Sequence, residues 1–229
     1  MLISENDIVE TIKESLIEMA YPSSFSMDEF KSISSFSGRV RYCDERLVKL
    51  GSGSSRTVYR VDDEKVLKLA KNSKGIYQNE YEASNGGYLS NAGIGARLFD
   101  CDYDNYMFVE MELARKCKPS DFKRITGYDF KFICSFIDYV HTWYTRYMYF
   151  NGYDKSYEEQ FRQIAEDPYS VNDVFGGLID YLTNYQLETI GDLKRLSSWG
   201  VVKRDGEDAL VIIDYGLSDE IFNNYYRRR

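Results

Sequence analysis

The stretch "GDLKRLSSWGVVKRDGEDALVIIDYGLS", residues 191–218, decides how the chain is read. Its apolar run Leu210-Val211-Ile212-Ile213 ends in Asp214, followed at once by Tyr215-Gly216. A carboxylate closing a buried strand is costly unless a charge meets it there. A metal ion, an arginine or a helix N-terminus would serve. Upstream, Asp205-Gly206 marks a turn between two strands, and a loop carrying Asp192 leads into the first of them.

Two helices precede this stretch. Phe132, Ile133, Phe136, Ile137, Val140, Tyr144 and Tyr147 follow a 3.6-residue period, which predicts a long amphipathic helix over Tyr128 to Phe150. Its aromatic density suits core packing better than a stacking platform. Val174, Phe175, Leu178, Ile179 and Leu182 predict a second helix over Val171 to Leu187.

Between Leu47 and Glu112 the period changes. "RLVKLGSGSSRTVYRVD" reads as strand, glycine-rich turn, strand, and "KVLKLAK" as a third strand. A helical stretch, "YQNEYEASNGGYLSNAG", follows, with weak points at Gly86 and Gly87, then strands near Ala96 to Phe99 and Tyr106 to Met111. The first 40 residues carry a capping-box pattern at Ser4 and Asp7 ahead of Ile8, Ile12, Leu16 and Met19, and a short helix starting at Ser26. They are expected to form an accessory helical hairpin.

Composition narrows the chemistry. The 229 residues, 43% of them hydrophobic, suffice for one large domain or two joined lobes. Net charge is −8, with only the Arg227-Arg228-Arg229 tail as a basic run, which argues against nucleic acid and anionic membranes as partners. No apolar run approaches the roughly 18 residues of a membrane span, so a cytoplasmic protein is expected. Cys43, Cys101, Cys117 and Cys134 lack C-x-x-C spacing and read as reduced structural thiols. With His141 as the single histidine, Ser-His-Asp, Cys-His and multi-His metal chemistry are set aside. Chemistry falls to carboxylates, lysine, hydroxyls and a borrowed ion.

Gly51-Ser52-Gly53, with Ser54 beyond, sits between two strands, where glycine lets a phosphate approach the backbone amides. A tight hairpin alone would also want glycine. Val58 lies on the returning strand, where it could cover an adenine ring. Lys68, flanked by Leu67 and Leu69, either points to solvent or offers a point charge to phosphates.

Taken together these segments resemble a protein-kinase-like phosphotransferase in shortened form, from about Leu47 to Gly216. "LGSGSSRTVY" resembles the glycine-rich loop, "KVLKLA" the strand with the ATP lysine, and "MFVEMEL" the hinge. "GDLKR" resembles the catalytic loop in the Gly-Asp form of small-molecule kinases, and "VIIDYG" the metal-binding motif. The implied fold is α+β and two-lobed, with a helical extension (1–40), a small antiparallel β-rich N-lobe (41–112) and a reduced, mostly helical C-lobe (113–229). The resemblance implies that Gly51, Gly53 and Ser54 bind nucleotide with Val58. It gives Lys68 to the α and β phosphates, Glu80 to the helix acid with Glu82 as the competing choice, and Glu110 and Glu112 to the hinge backbone. Asp192 becomes the catalytic acid and Asp214 the Mg²⁺ or Mn²⁺ ligand.

Departures accompany it. Arg56 replaces a third loop glycine, and Ile190 replaces a histidine before Gly191-Asp192. Ser197 or Ser198 stands where a metal-binding asparagine is expected. Only 15 residues follow Asp214, leaving no room for an activation segment or peptide-binding helices. A short chain ending in "WGVV…DYG" is also similar to kinase-like proteins of large tailed phages. Two functions follow: an ATP- and metal-dependent phosphotransferase acting on a protein or small-molecule hydroxyl, or a pseudokinase-like module holding a protein partner.

Overall fold

The computed structural model describes residues 22–144, 152–184 and 190–216. The first-helix pattern around Ile8 to Met19, and Tyr147, fall outside them. The chain divides into two compact units. One comprises residues 1–79 and 99–113, the other residues 80–98 and 114–229.

In the first unit a five-stranded sheet is built from β1 (Val48–Ser52), β2 (Arg56–Arg60), β3 (Lys65–Ala70), β4 (Leu98–Cys101) and β5 (Phe108–Glu112), in the order β1-β2-β3-β5-β4. The β1–β2, β2–β3 and β3–β5 pairs are antiparallel. Two helices precede it, α1 (Met27–Ser32) and α2 (Phe36–Arg46). Serine caps both: the Ser26 hydroxyl accepts the Glu29 N–H, and that of Ser35 the Gly38 N–H. The expected start at Ser26 is therefore present, whereas α2 was not legible as a helix.

Directly paired residues share a face of a sheet. The registers Tyr59↔Leu67, Leu69↔Phe108 and Leu67↔Glu110 put these side chains on one face. Phe25 and Phe30 pack against that face together with Tyr42 and Cys43 of α2. Phe30 meets Phe108 edge-on at 5.7 Å between ring centroids. Tyr59 ties α2 down, its hydroxyl donating to Asp44 Oδ1 at 2.8 Å. Residues 22–46 thus contribute side chains to this unit's core. Covering one face leaves Arg56, Val58, Lys68 and Val109 on the other.

Helix α3 (Ser73–Asn91) begins in the first unit and continues in the second, uninterrupted through Gly86 and Gly87. The second unit adds α4 (Pro119–Thr126), α5 (Phe130–Tyr144), α6 (Glu158–Glu166), α7 (Pro168–Val171) and α8 (Asp173–Asn184). A three-stranded antiparallel sheet orders β6 (Arg115–Lys116), β7 (Trp199–Arg204) and β8 (Glu207–Ile212) as β6-β7-β8. Three aromatic residues of α5 are core, Phe132, Phe136 and Tyr139, while Trp143 is exposed: Phe132 and Phe136 pack at 5.0 Å and 5.7 Å on Phe161 of α6, and Phe136 at 5.0 Å on Phe175 of α8. The expected helix over Val171 to Leu187 is present as α8, which starts at Asp173 just after the short α7; residues 185–187 lie outside the described residues. Asp205 and Gly206, at φ 50° and 87°, form the two-residue turn that joins β7 to β8.

Asp208 holds this hairpin to α4. It accepts from Lys203 Nζ at 2.8 Å, from Arg124 at 2.6 Å and from Arg115 at 3.2 Å. Asp121 accepts from Arg115 at 2.7 Å and from the Lys118 N–H at 2.8 Å. Bonding to Lys203 first, then to the arginines, lowers the Asp208 carboxyl to about 2. Arg115 holds Asp121 well below the usual carboxylate range. Both are depressed on folding, so their stabilisation is present above the unfolded value near 4 and is lost as pH falls through the folded value. Thermal melts between pH 6 and pH 2 should show a shallower acid loss in Asp208→Asn than in the parent. Superimposable acid limbs would refute this role.

Candidate active site

The glycine-rich loop in the first unit is tethered from below. Asn72 Nδ2 donates to the Ser54 carbonyl at 3.0 Å, the Lys71 N–H to the Ser55 carbonyl at 2.8 Å, and the Ser55 hydroxyl to Gln78 Oε1 at 2.5 Å. The loop and the first turn of α3 approach so closely that a Cβ on Gly75 would lie 2.3 Å from the Ser55 carbonyl oxygen. Gly51 and Gly53 differ. Neither has positive φ, and a Cβ there would meet nothing closer than 3.9 Å. Neither the hairpin nor its packing requires those glycines, which leaves open space over the loop. The Gly53 N–H is already committed to the Arg56 carbonyl at 2.8 Å.

Arg56, in the place of a third glycine, is buried on β2 and donates to Asn79 Oδ1 at 3.4 Å. Asn79 in turn donates to the Tyr106 carbonyl at 2.9 Å. Arg56 thus links the sheet to α3. Lys68 is 6% exposed, so the solvent-facing reading fails. It shares its face with Val58, directly opposite in register, and with Val109.

The hinge residues divide. Glu110 pairs with Leu67 in the middle of β5, which has β3 on one side and β4 on the other. An interior strand spends its backbone groups on the ladder, and the Glu110 side chain lies on the face opposite Lys68. Glu112 ends the strand, and Leu113 N–H donates to the Glu64 carbonyl at 2.6 Å.

In the second unit, the phase of α3 gives the two acids different surroundings. Glu82 is fully buried and Glu80 is half-buried. Glu82 Oε1 accepts the Tyr215 N–H at 3.4 Å, and the Tyr215 hydroxyl donates to the Glu82 carbonyl at 3.3 Å. One turn on, a Cβ at Gly86 would lie 2.9 Å from that hydroxyl. The apparent weak point in the helix is where the Tyr215 ring comes closest.

Asp214 itself is exposed, between half-buried Ile213 and buried Tyr215. It escapes the desolvation cost expected for a buried strand end, because β8 stops at Ile212. The end of β8 is clamped: Ile212 N–H donates to the Ile94 carbonyl and Ile213 N–H to the Ser198 carbonyl, both at 2.7 Å. Since Trp199 pairs with Ile212, the segment arriving from Asp192 and the segment leaving to Asp214 run side by side. Asp192 is buried and pairs with Arg195 at 3.0 Å. Lys194 Nζ pairs with buried Asp138 of α5 at 2.7 Å, and Trp199 Nε1 donates to the Leu193 carbonyl at 2.8 Å. These loop contacts carried no sequence signal, since Asp138 and Lys194 are 56 residues apart. Of the two serines, Ser198 is buried and Ser197 exposed.

Among the described residues no three His, Cys, Asp or Glu side chains converge as a metal cage. A cavity of about 850 Å³ opens at the far end of the β7–β8 hairpin, beside Arg124, Asn172, Lys203 and Asp208, and holds none of these candidate residues. Among the described residues no helix is long and apolar enough to cross a membrane.

No protein-family model matches the chain, and no curated protein matches it. Among the solved structures similar to part of it are the following two. One is a choline/ethanolamine kinase family protein from Mesorhizobium loti, at 15% identity and TM-score 0.29 over 52% of this chain. The chain covers 45% of that protein. The other is APH(2″)-IIa in a ternary complex with streptomycin and ATP, at 11% identity and TM-score 0.33 over 80% of this chain and 72% of that one. At these scores neither likeness carries an argument about the chain's function.

Proposed function

We propose that the chain is an ATP- and divalent-metal-dependent phosphotransferase that moves the γ-phosphoryl group to a hydroxyl of a small molecule or a protein. The observation that carries this reading is Lys68: a buried lysine on the same sheet face as Val58, one strand from a loop whose glycines the fold itself does not need.

In this reading Val58 packs on the adenine, the loop around Gly51, Gly53 and Ser54 lies over the phosphates, and Lys68 pairs with the α and β phosphates. Glu82, rather than Glu80, is the helix acid. The adenine-binding backbone shifts from Glu110 to Glu112 and the residues after it. Asp214 would hold Mg²⁺ or Mn²⁺, with Ser198 or Ser197 as a weaker neighbour, and the ion would supply positive charge to the phosphates. Asp192 orients the acceptor hydroxyl and takes its proton as that oxygen bonds to the γ phosphorus and ADP leaves. One observation favours the alternative of a nucleotide-binding module without transfer: an Asp192 oxygen is already engaged by Arg195.

ATP with Mg²⁺ should raise the melting temperature of the parent. Lys68→Ala should weaken ATP binding by on the order of 1.5–3 kcal/mol, the loss of a charge-assisted contact. Lys68→Met, which keeps the buried stem, should do the same without the packing loss. An unchanged nucleotide-dependent shift in both variants would sink the role of Lys68. Transfer of label from γ-labelled ATP to the protein or to one lysate component tests the chemistry itself.

A further inference from the structure

We infer that Lys71 is a second phosphate-binding cation, acting from the rim of the glycine-rich loop. The inference rests on the nucleotide-binding reading above and adds a residue to it. Lys71 follows β3 directly, and its ammonium reaches back into the loop, donating to the Gly53 carbonyl at 2.7 Å and to the Ser52 hydroxyl at 3.1 Å. An ammonium carries three N–H donors, and these two bonds leave one. Ser52 is in turn within 3.1 Å of the Thr57 hydroxyl, so the Nζ position is braced by both strands of the hairpin.

The neighbouring backbone is arranged to receive an anion. Among the described residues the N–H groups of Ser54 and Ser55 donate to nothing, although the carbonyls of both are taken by Asn72 and Lys71. Two adjacent amides that no protein group takes, next to a fixed ammonium, are donors an anion can use. The space over Gly51 and Gly53 is unfilled, so a phosphate can reach it. Lys68 is buried on the sheet face, whereas Lys71 is half-exposed beside the loop. The charge at Lys71 therefore attends the terminal phosphates, and it sets a preference for nucleoside triphosphate over nucleotides with fewer phosphates.

The test compares the parent with Lys71→Gln and Lys71→Arg. Dissociation constants would be measured for ATP, ADP, AMP and adenosine with Mg²⁺, at low and high salt, alongside ligand-free melting temperatures. Lys71→Gln should weaken ATP by about tenfold, ADP by less, and adenosine not at all, with the ATP loss shrinking at high salt. Lys71→Arg should retain most of the parental affinity for ATP. A residue that only braces the loop would give equal losses for adenosine and ATP, and that result overturns the inference. So does an unchanged ATP affinity in Lys71→Gln. If ATP binding depends on Lys68 but not on Lys71, the inference alone falls; if the parent binds none of the four ligands, the nucleotide-binding reading falls with it.

Discussion

Asp192→Asn should reduce phosphoryl transfer by about a thousandfold while leaving ATP affinity within about twofold of the parent. The acid faces the acceptor hydroxyl in the proposed reaction and makes no contact with the nucleotide, so its loss should appear in turnover rather than in binding. The substitution is nearly isosteric, and the amide oxygen can still accept from Arg195, which the carboxylate meets at 3.0 Å. The buried loop should therefore keep its shape. Single-turnover transfer and nucleotide titration on the same preparation separate the two effects. Parental turnover in the variant would show that the proton acceptor has been misplaced. Asp214→Asn should instead harm both, because the metal and the triphosphate are bound together.

The second large effect is structural and falls on the support of that loop. Trp199 is fully buried, meets Phe122 edge-on at 5.3 Å, and donates its indole N–H to the Leu193 carbonyl next to Asp192. Trp199→Ala should destabilise the protein by about 3–5 kcal/mol through the cavity it leaves. Trp199→Phe keeps most of the packing and deletes only the hydrogen bond. It should cost about 1 kcal/mol in stability and more in transfer rate, since the Leu193 carbonyl beside Asp192 loses its anchor. Denaturant midpoints and transfer rates for the pair would check this. Equal stability of Trp199→Ala and the parent would mean that the loop is held from elsewhere.

Much of the architecture was legible because it rests on local periodicity. The β1–β2 hairpin, β3, the aromatic helix α5 and the Asp205-Gly206 turn all follow from residues close together in sequence. What escaped depends on distant contacts. Helix α2 has little apolar periodicity; its buried residues, Arg39, Tyr42 and Cys43, are mixed in character, and they are buried because the sheet face beneath them is. The strand after α3 begins at Leu98 rather than Ala96, because Ala96 donates to the Ile212 carbonyl instead. Gly86 looked like a helix breaker, yet it is the residue that lets Tyr215 approach α3.

The candidate site divides in the same way. Glycine spacing, a lysine inside an apolar strand and an acid after an apolar run could be read from the order of residues, since each is a local departure from an ordinary strand pattern. By itself the sequence determined the antiparallel hairpin, the aromatic helix and the short list of acids and lysines able to do chemistry. It could not tell which of Glu80 and Glu82 is buried, because two positions on a helix differ by about 200° of rotation and only the packing partner, here Tyr215, selects the phase. Nor could it place Lys68 inward: strand alternation defines two faces, and which one is covered was decided by α1 and α2 packing on Tyr59, Leu67 and Leu69. Asp214 reversed the expectation of burial for a related reason. The apolar run continues to Ile213, but the sheet ends where Ile94 and Ser198 clamp its last residues, and beyond that point the acid emerges into solvent. Local patterns follow from steric and periodic rules within a few residues, whereas orientation and burial are properties of the partner surface, which only the tertiary structure supplies.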